Sequence, residues 1–409
     1  SILSFYMIAA PRKIKGYATS EGTVAYKERF KDLLAEGHFR ARHRLWFPSI
    51  GIGTYLGDLD DATDDLYQGA ITEALLSGVN LVDTAINYRA QRSERCIGQV
   101  LAELIGSGKL KREEIIVCTK GGFLQFDGEY PQNPKAYFDQ TYIQNGILKP
   151  GDLVEGYHAM APAYLDDQIE RSLENLGLQT VDIYYLHNPE VQLARLERKT
   201  FLKRLSAAFE CLELKVHENK IRMYGLATWN GFRVSETQKD FLSLEEMVGL
   251  AKAAVGPDHH FKVVELPFNL AMPEAWILPN QRYRGALVSF LGICEYFGIT
   301  AVTSASLLQG RLAGELPEFF RKHFRDLKQS VQCALQFARS VPGVTTSLVG
   351  MRDKAHVTAN LQVAKFPPMR ESEIIMLFQK RTDSSGEKRN IGNDAQIFKR
   401  EQSIGYPSV

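Results

Sequence analysis

Short runs of β-branched and other apolar residues alternate along the middle of the chain with longer stretches whose apolar residues recur at helical spacing. This alternation is typical of repeated βα units around a parallel sheet. Several of the helical stretches end on Gly or Asn, as helix C-caps do. Eight strand-like runs start at Ser49, Val79, Glu114, Thr180, Lys220, Lys262, Ile299 and Thr345. Eight strands with their helices predict the α/β class and a (β/α)8 TIM barrel.

Three parts of the chain lie outside this repeat. Residues 1–46 form an N-terminal extension to the predicted barrel of residues 47–364, and residues 365–409 form a C-terminal extension. The third part is a long insertion after the third strand, at about residues 121–163, where a loop of about 2 to 6 residues is usual. It lies on the C-terminal face, where active sites of such barrels are found. Because it is rich in aromatic residues, we expect a folded lid over the site; a flap packed away from the site is the alternative.

Composition and charge narrow the class of protein. The 409 residues are 44% hydrophobic and 24% charged, which is ordinary for a globular protein. The chain has 49 Lys and Arg and 48 Asp and Glu, which gives a formal net charge of +1. Because this charge creates no basic field that would attract phosphate groups, nucleic acid is not expected as a partner. The five cysteines are scattered along the chain without a C-x-x-C pair, so the sequence indicates neither a disulfide framework nor a zinc site. Free cysteines of this kind are typical of a protein in a reducing compartment.

Neither a membrane span nor a signal peptide is expected. The most apolar stretch, residues 285–302, contains Glu295 and ends in a Gly-punctuated change of pattern, so we interpret it as a buried helix running into a buried strand. The N-terminal apolar run has no preceding basic segment and no clear cleavage site. We therefore expect a cytoplasmic protein without a membrane partner. The oligomeric state, and whether residues 1–6 belong to the natural chain, stay open.

Four ionisable residues stand at or just past the ends of three successive predicted strands: Asp83, Tyr88, Lys120 and His187. Neighbouring barrel strands are about 4.8 Å apart, so these side chains are expected to converge. A free tyrosine has a pKa of about 10, too high for efficient proton exchange near neutrality, and a nearby ammonium lowers it. Lys120, held by Asp83, would lower the pKa of Tyr88. Tyr88 would then act as the general acid while His187 orients the substrate oxygen.

The motifs around these residues resemble the aldo-keto reductase superfamily. They are G-x-G-T-Y from Gly51, D-T-A-x-x-Y from Asp83, Ser93 with Glu94 and Gly98, T-K at Thr119, and D-x-x-x-L-H-N-P from Asp182. Each motif alone is a weak signal, whereas five in the right order are a strong one. The resemblance implies a barrel that binds NADPH and reduces an aldehyde or ketone to an alcohol, or catalyses the reverse oxidation, with Tyr88 as the proton donor.

The resemblance also implies cofactor and substrate positions around the first, fifth, sixth and seventh strands. Tyr55 would line the substrate pocket, and the cofactor would contact Gly53, Thr54, Thr228, Glu265 and Ser304. Three of these positions differ from the family pattern. Thr228, or alternatively Asn230, replaces a Ser-Asn pair. Glu265 replaces a Gln, and Ser304 replaces an aromatic residue. A carboxylate can accept a hydrogen bond from an amide but cannot donate one unless protonated. For Glu265, a structural ion pair is the alternative to a cofactor role.

Two later segments complete the implied cofactor site. The segment SLLQGRL resembles a loop that wraps the pyrophosphate, through Ser306, Leu307, Gln309, Gly310 and Arg311. The segment VGMRDKAHVTANL resembles the part that recognises the adenosine ribose phosphate, through Gly350, Met351, Arg352, His356 and Asn360. A guanidinium grips a 2′-phosphate in a bidentate way. Arg352, with Lys354 beside it, therefore favours NADPH over NADH.

Two classes of function stay open. The first is an NADP-dependent oxidoreductase acting on a small-molecule carbonyl or alcohol. The second is a cofactor-sensing binding protein, like the potassium-channel β subunits, which keep this fold and tetrad; the two extensions and the insertion are where a partner could dock. A Schiff-base role for Lys120 is a weaker alternative. No metal is expected, since His259 and His260 are interpreted as part of a solvated loop at the stability face.

Overall fold

A computed structural model describes residues 13–314, 316, 318–324, 327 and 329–378. The strands are β1 (Phe39–Arg42), β2 (Leu45–Pro48), β3 (Ile50–Gly53), β4 (Leu81–Asp83), β5 (Ile116–Gly121), β6 (Val181–His187), β7 (Ile221–Ala227), β8 (Phe261–Pro267), β9 (Pro279–Tyr283), β10 (Ala286–Ser289), β11 (Thr300–Ser304) and β12 (Val344–Gly350). Residues 1–6 and most of the C-terminal extension lie outside the described residues.

The helices connect and cover these strands. They are α1 (Ser20–Arg29), α2 (Asp61–Leu76), α3 (Arg92–Gly106), α4 (Pro134–Phe138), α5 (Pro162–Asn175), α6 (Arg198–His217), α7 (Leu244–Val255), α8 (Glu274–Ile277), α9 (Phe290–Phe297), α10 (Glu318–Arg321), α11 (Ser330–Ser340), α12 (Lys354–Leu361) and α13 (Glu371–Phe378). Short 3₁₀ turns lie at Arg112–Glu114, Pro189–Ala194, Arg311–Ala313 and Gln362–Lys365, and one π-helical turn lies at Asp139–Ile143.

Eight parallel strands close into a barrel in the spatial order β11, β12, β3, β4, β5, β6, β7, β8. These are the eight runs expected from the sequence pattern, so the predicted (β/α)8 barrel is confirmed. The register places Gly53 beside Asp83 and Lys120 beside Tyr185 at the C-terminal ends of the strands. The ends of β3 to β6 therefore present their side chains at one mouth of the barrel.

The N-terminal extension packs against the opposite mouth. Hairpin β1–β2 runs into the first barrel strand, and its Leu45 and Phe47 are buried with the inward-facing residues Leu81 and Ile116. The tip of the hairpin is tied to the barrel where His43 Nε2 lies 3.1 Å from the carbonyl oxygen of Lys262. The hairpin closes the N-terminal mouth and leaves the C-terminal mouth as the accessible one.

The prediction for residues 285–302 is wrong in its first part. Residues 286–289 form strand β10 of a two-stranded hairpin with β9, and the helix begins only at Phe290. Leu287 of this strand is 46% exposed, so the apolar run signals a half-exposed hairpin here and not a buried helix. Across the described ranges, no helix is both long enough and apolar enough to cross a membrane.

The insertion after β5 folds as a unit with its own small core. Tyr142, Leu148 and Ala159 of this segment are buried together with Tyr164 of α5. The two ends of the insertion come together, because Leu124 N donates to the carbonyl oxygen of Tyr157 at 2.8 Å. Its ends therefore lie beside the C-terminal mouth, while its middle packs on itself.

Candidate functional site

Lys120 is the centre of a buried charge cluster at the C-terminal mouth. Its Nζ lies 2.5 Å from Asp83 Oδ2 and 3.2 Å from Glu265 Oε2, and it donates to the carbonyl oxygen of Thr84 at 3.0 Å. Asp83 is the last residue of β4, and Lys120 and Glu265 lie within β5 and β8. Lys120 has no exposed surface, and both carboxyl groups are almost fully buried. The barrel thus gives one ammonium two acidic neighbours from different strands.

The aromatic side chains of the site lie around this cluster. Lys120 Nζ is 5.3 Å from the ring centroid of Tyr88, whose ring meets that of His187 at 5.8 Å and that of Tyr55 at 4.9 Å, both edge-on. Tyr55 is 51% exposed, so it forms part of the open wall. The structure therefore brings together Asp83, Tyr88, Lys120 and His187, with Tyr55 on the outer side.

Burial dominates the acidity of Tyr88. Burial raises the pKa of the Tyr88 hydroxyl above its ordinary value. The charge of Lys120 lowers this pKa, whereas the charges of Asp83 and Glu265 raise it. Lys120 therefore lowers the pKa of Tyr88, as expected, but in the protein without ligand this effect is smaller than the opposite effect of burial. Burial, followed by the charge of Lys120, also places the pKa of His187 well below its ordinary value. The ring of His187 is therefore neutral, with one N–H to donate.

His187 is held by residues of the insertion. The ring of Phe123 meets the His187 ring edge-on at 4.8 Å, and His158 Nε2 donates to the carbonyl oxygen of His187 at 2.7 Å. Gln192 Nε2 donates to His158 Nδ1 at 3.2 Å, which fixes the neutral tautomer of His158. Burial lowers the pKa of His158 to about 4, in keeping with that tautomer. The ends of the insertion thus support the position of His187.

Glu190 organises the loop after β7. Its Oε1 accepts from the backbone N–H groups of Trp229 at 2.7 Å, Asn230 at 3.1 Å and Gly231 at 3.4 Å. Burial raises the pKa of Glu190 to about 6, against the lowering effect of these backbone donors. Thr228, which precedes the loop, is buried, and no described atom bonds to its Oγ1. The loop is held rigidly and leaves one buried hydroxyl free for a ligand.

The loop after β11 carries backbone strain. Ala305, Leu308 and Gln309 have φ angles of 53°, 47° and 54°, in the left-handed region that non-glycine residues rarely adopt. Ser306 is buried within this loop, and its Oγ has no bonding partner among the described atoms. Strain and an unpartnered buried hydroxyl in one loop are features of ligand sites.

The remaining predicted cofactor positions lie along the same mouth. The strands place Gly350 beside Gly53, and Thr54 Oγ1 donates to the carbonyl oxygen of Asp83 at 3.1 Å. Ser304 ends β11 and is half-buried. Of the others, Met351 and Asn360 are buried, Leu307 is half-buried, and the exposed ones are Gln309, Gly310, Arg311, Arg352 and His356.

Several motif residues hold the barrel together and do not face the site. Ser93 Oγ donates to the carbonyl oxygen of Thr54, and Glu94 accepts from Thr119 Oγ1 at 2.6 Å. A Cβ on Gly98 would lie 2.5 Å from a backbone oxygen of α5, so only glycine lets α3 approach so closely. Asp182 is buried in an ion pair with Arg112, with its Oδ2 2.7 Å from Nη2. These residues fix the strands that carry the charge cluster.

The interpretation of His259 and His260 as a solvated loop is wrong for His259, whereas the His260 side chain is 44% exposed in the loop before β8. His259 is buried, and His260 Nδ1 lies 2.8 Å from Glu213 Oε2. His260 is held at the start of β8 by Glu213 of α6, which accepts from the His260 ring and from its backbone N–H at 2.8 Å. Among the described residues, no group of three or more His, Cys, Asp and Glu side chains could hold a metal ion.

Sequence reasoning missed Glu190 and His158. Glu190 directly follows the D-x-x-x-L-H-N-P motif, so an acidic residue just past a predicted barrel strand was a usable signal. His158 lies about 30 residues from His187 inside an insertion without a template, and no local pattern connects the two. Only the closing of the insertion onto the end of β6 brings them together.

The C-terminal mouth of this parallel barrel holds a buried ammonium, two carboxyl groups, a tyrosine and a neutral histidine. The protein is therefore of the class of barrels whose site lies at the C-terminal ends of the strands. A family model described as the aldo/keto reductase family matches residues 49–246, from just before β3 into α7. Over these residues the chain is similar to the aldo-keto reductase family.

Two curated relatives show how far the likeness extends. The NADH-specific methylglyoxal reductase of Escherichia coli is 28% identical over 197 residues, or 46% of this chain and 50% of that protein. The D-threo-aldose 1-dehydrogenase of a Pseudomonas species is 28% identical over 186 residues, or 45% of this chain and 51% of that protein. The chain spans about half the length of these relatives.

Two solved structures share the fold over a longer part of the chain. The aldo/keto reductase from Klebsiella pneumoniae, in complex with NADP and acetate, has a TM-score of 0.56 at 19% identity and covers 84% of this chain and 94% of its own. The glycerol dehydrogenase from Gluconobacter oxydans has a TM-score of 0.59 at 16% identity, with coverages of 92% and 99%. At these identities the likeness concerns the fold.

Proposed function

We propose that the protein is an oxidoreductase that reduces an aldehyde or ketone to an alcohol with NADPH, or catalyses the reverse oxidation. The observation that carries this proposal is the position of Lys120 between Asp83 and Glu265, 5.3 Å from the ring centroid of Tyr88. An ammonium beside a tyrosine stabilises the negative charge that develops on the phenol as it gives up a proton.

Each side chain has a separate role in this proposal. Tyr88 is the general acid that protonates the carbonyl oxygen during reduction and takes the proton back during oxidation. Neutral His187 donates a hydrogen bond that orients the same oxygen. Asp83 holds the ammonium of Lys120 in place. Entry of a substrate and cofactor excludes water from the mouth, which strengthens the effect of Lys120 on Tyr88.

The residues of the mouth fit a nicotinamide dinucleotide. Two buried hydroxyls without a partner among the described atoms, on Thr228 and Ser306, offer polar contacts on adjacent sides of the barrel, and the strained backbone at Leu308 and Gln309 borders the second. Gly53 and Gly350 leave the strand ends between β3 and β12 open, since a Cβ on either would meet nothing closer than 3.8 Å. When bound, the cofactor supplies the hydride, and the chain supplies orientation and the proton.

The choice between NADPH and NADH rests on the start of α12. Arg352 and His356 are exposed there together with Lys354, next to the helix N-terminus capped by Asp353. Cations and a helix N-terminus together favour an anionic group such as a 2′-phosphate. One structural neighbour carries NADP, whereas one curated relative is named as NADH-specific. The local charge supports NADPH for this chain.

The first test is a fluorescence titration with NADPH and NADH. Replacing Arg352 with Ala is expected to weaken NADPH binding by roughly 10- to 100-fold, since a charge-assisted hydrogen bond contributes about 1.5 to 3 kcal/mol. NADH binding should not change, because NADH lacks the 2′-phosphate. Equal losses for both nucleotides would contradict the assignment of Arg352 to that phosphate.

The second test concerns the proton donor. Tyr88→Phe is expected to lower the rate of aldehyde reduction by about 10²- to 10⁴-fold while leaving NADPH affinity within about threefold. Tyr130→Phe, at an exposed position of the insertion, is the matched control and should keep the wild-type rate. A Tyr88→Phe protein with the wild-type rate would contradict the proposal. Binding of NADPH without turnover of any aldehyde in the wild type would favour a cofactor-sensing protein instead.

The substrate is proposed as a small carbonyl compound. Tyr55 and Trp229, with exposed fractions of 51% and 37%, stand at the mouth, and Tyr157 stacks on Phe123 at 5.8 Å between ring centroids. Such an uncharged aromatic surface suits a neutral aldehyde, ketone or sugar lactol. All five cysteines are free, which is consistent with the expected cytoplasmic location.

A further inference from the structure

Glu265 belongs to the charge cluster as well as to the strand that borders the mouth. It lies on β8, between Ala227 of β7 and Val302 of β11, and its Oε2 is 3.2 Å from Lys120 Nζ. Asp83 reaches the same ammonium from the other side at 2.5 Å. Two carboxyl groups therefore share a single buried cation.

Among the described side chains around the two carboxyl groups, Lys120 supplies the positive charge. Lys120 is the cation that acts on both carboxyl groups. The other titratable side chains facing the cluster are Tyr88, Cys118 of β5 and Tyr185 of β6, and all three have raised pKa values and are uncharged at neutral pH. His187 at the end of β6 is neutral as well. The neighbouring positions on β7 and β11 are Ala227 and Val302, which do not titrate.

Electrostatics limits the charge that such a cluster can hold. With both carboxyl groups ionised, the buried cluster would carry a net negative charge, which is costly in a medium of low dielectric constant. One retained proton makes it neutral. Burial first, and the neighbouring Asp83 second, raise the pKa of Glu265 to about 8. Asp83 lies closer to Lys120 and keeps the ionised form more readily, although the two carboxyl groups titrate as a pair.

We propose that Asp83 and Glu265 together retain one proton at neutral pH, and that Glu265 acts through Lys120 as a positioning residue for the acidity of Tyr88. The second half rests on the proposed function. Loss of the shared proton adds a negative charge beside Lys120, and Glu265 opposes the effect of Lys120 on Tyr88. Proton donation by Tyr88 then becomes harder, so carbonyl reduction slows as the pH rises through about 8.

The shared proton can be observed without cofactor or substrate. Infrared spectra of the protein are recorded from pH 6 to 10 for the wild type and for Glu265→Gln. Their difference should contain the carbonyl stretch of a protonated carboxyl group at pH 6 to 7, and this band should disappear with a midpoint near 8. Glu94 and Glu190, the other buried carboxyl groups with raised pKa values, cancel in the difference. A difference spectrum without that band at pH 6 to 7 would overturn the proposal.

A second variant separates the pair from an isolated glutamate. In Asp83→Asn only one carboxyl group faces Lys120, so Glu265 should ionise and the band should be absent at neutral pH. A band that persists unchanged in Asp83→Asn would overturn the sharing of the proton. If Glu265→Gln destabilises the protein, potentiometric titration of wild type and Asp83→Asn still decides the question, since about one proton fewer should be released near pH 8 in the variant.

The catalytic consequence has its own readout, which is the shape of the pH profile. The rate of reduction by the wild type should fall above about pH 8, by up to about tenfold per pH unit. Glu265→Gln should lack this decline, whatever its absolute rate, because its side chain stays neutral. The same decline in both proteins would overturn the positioning role even with the infrared band present. Full activity of Tyr88→Phe would instead refute the proposed function and leave the infrared result intact.

Discussion

Two arginines at the N-terminal mouth and two buried hydroxyls at the C-terminal mouth differ in their hydrogen bonding. At the N-terminal mouth, every side-chain nitrogen of Arg339 donates a hydrogen bond, to Gln336, Ser49, Val363 and Phe366. Arg40 donates likewise to backbone carbonyls, three of them contributed by Arg339, Val344 and Thr345. At the C-terminal mouth, by contrast, Thr228 Oγ1 and Ser306 Oγ have no partner among the described atoms.

Backbone strain follows the same division. Around the C-terminal mouth, non-glycine residues with positive φ occur directly after Tyr88, directly after His187 and in the loop after β11; they are Arg89, Ala90, Gln91, Asn188, Ala305, Leu308 and Gln309. At the N-terminal mouth, His43 and Arg44 are the two residues of a hairpin turn and Asn219 follows the end of α6, and this conformation is usual at both places. The fully bonded arginines stabilise the fold, whereas the two unpartnered hydroxyls and the strained backbone beside Ser306 are features tolerated where a ligand completes the contacts.

Removing Arg339 tests the stabilising mouth and should have the largest effect. Arg339→Met removes four hydrogen bonds, so the free energy of unfolding should fall by at least about 4 kcal/mol, at roughly 1 to 3 kcal/mol for each lost contact. Urea unfolding measures the change. Arg282→Met, on an exposed arginine paired with Glu236, is the control and should change stability by less than about 0.5 kcal/mol. Comparable losses in both variants would contradict the comparison.

His38 gives a pH-dependent version of the same test. Its Nε2 donates to the carbonyl oxygen of Gly78 and its Nδ1 accepts from Ser49 Oγ, and burial lowers its pKa to about 3. Between pH 6.5 and 3 the unfolded chain therefore binds a proton that the folded chain does not, and stability falls as the pH falls.

The variant His38→Gln should lack this dependence, which amounts to a difference on the order of 3 kcal/mol in the free energy of unfolding between pH 7 and pH 4. Unfolding in urea at pH 7 and pH 4 measures it. His217→Gln, at an exposed position of α6, is the control. An identical pH dependence for wild type and His38→Gln would show that the buried ring does not stay neutral.

Glu190 should show the smallest effect and the opposite sign. Burial raises its pKa to about 6, so between pH 4.5 and 6 the folded chain binds more protons than the unfolded chain, and stability falls as the pH rises. Glu190→Gln removes this loss, so the variant should gain up to about 2 kcal/mol over the wild type between pH 4.5 and 7. The exposed Glu210→Gln should show no such gain. A constant difference at all pH values would contradict a buried, titrating Glu190.

The barrel was predictable because its signal is local. The β-branched runs appear one by one in the chain, and each became a strand within about two residues of its expected bounds. Asp83, Lys120 and His187 could be assigned to one mouth because parallel strands present their C-terminal ends together. The N-terminal hairpin was not predicted, because its Leu45 and Phe47 pack on residues distant in the chain. Hairpin β9–β10 was not predicted, because the half-exposed Leu287 belongs to an apolar run that resembles a buried helix.

The acidity of the site was not predictable from residue types. The sequence correctly suggested that Lys120 lowers the pKa of Tyr88, but burial, which depends on the packing of the whole mouth, raises it by more. The role of Glu265 likewise depends on a 3.2 Å separation between side chains of β5 and β8.

Hydrophobic periodicity and strand ends are properties of short segments, so the fold class, the strand order and the meeting of Asp83, Lys120 and His187 at one mouth could be predicted from the sequence. The three-dimensional packing was needed to learn which of these groups are charged, which hydroxyls lack a partner among the described atoms, and how the insertion supports His187 through His158. Those properties depend on burial and on distances between residues far apart in the chain.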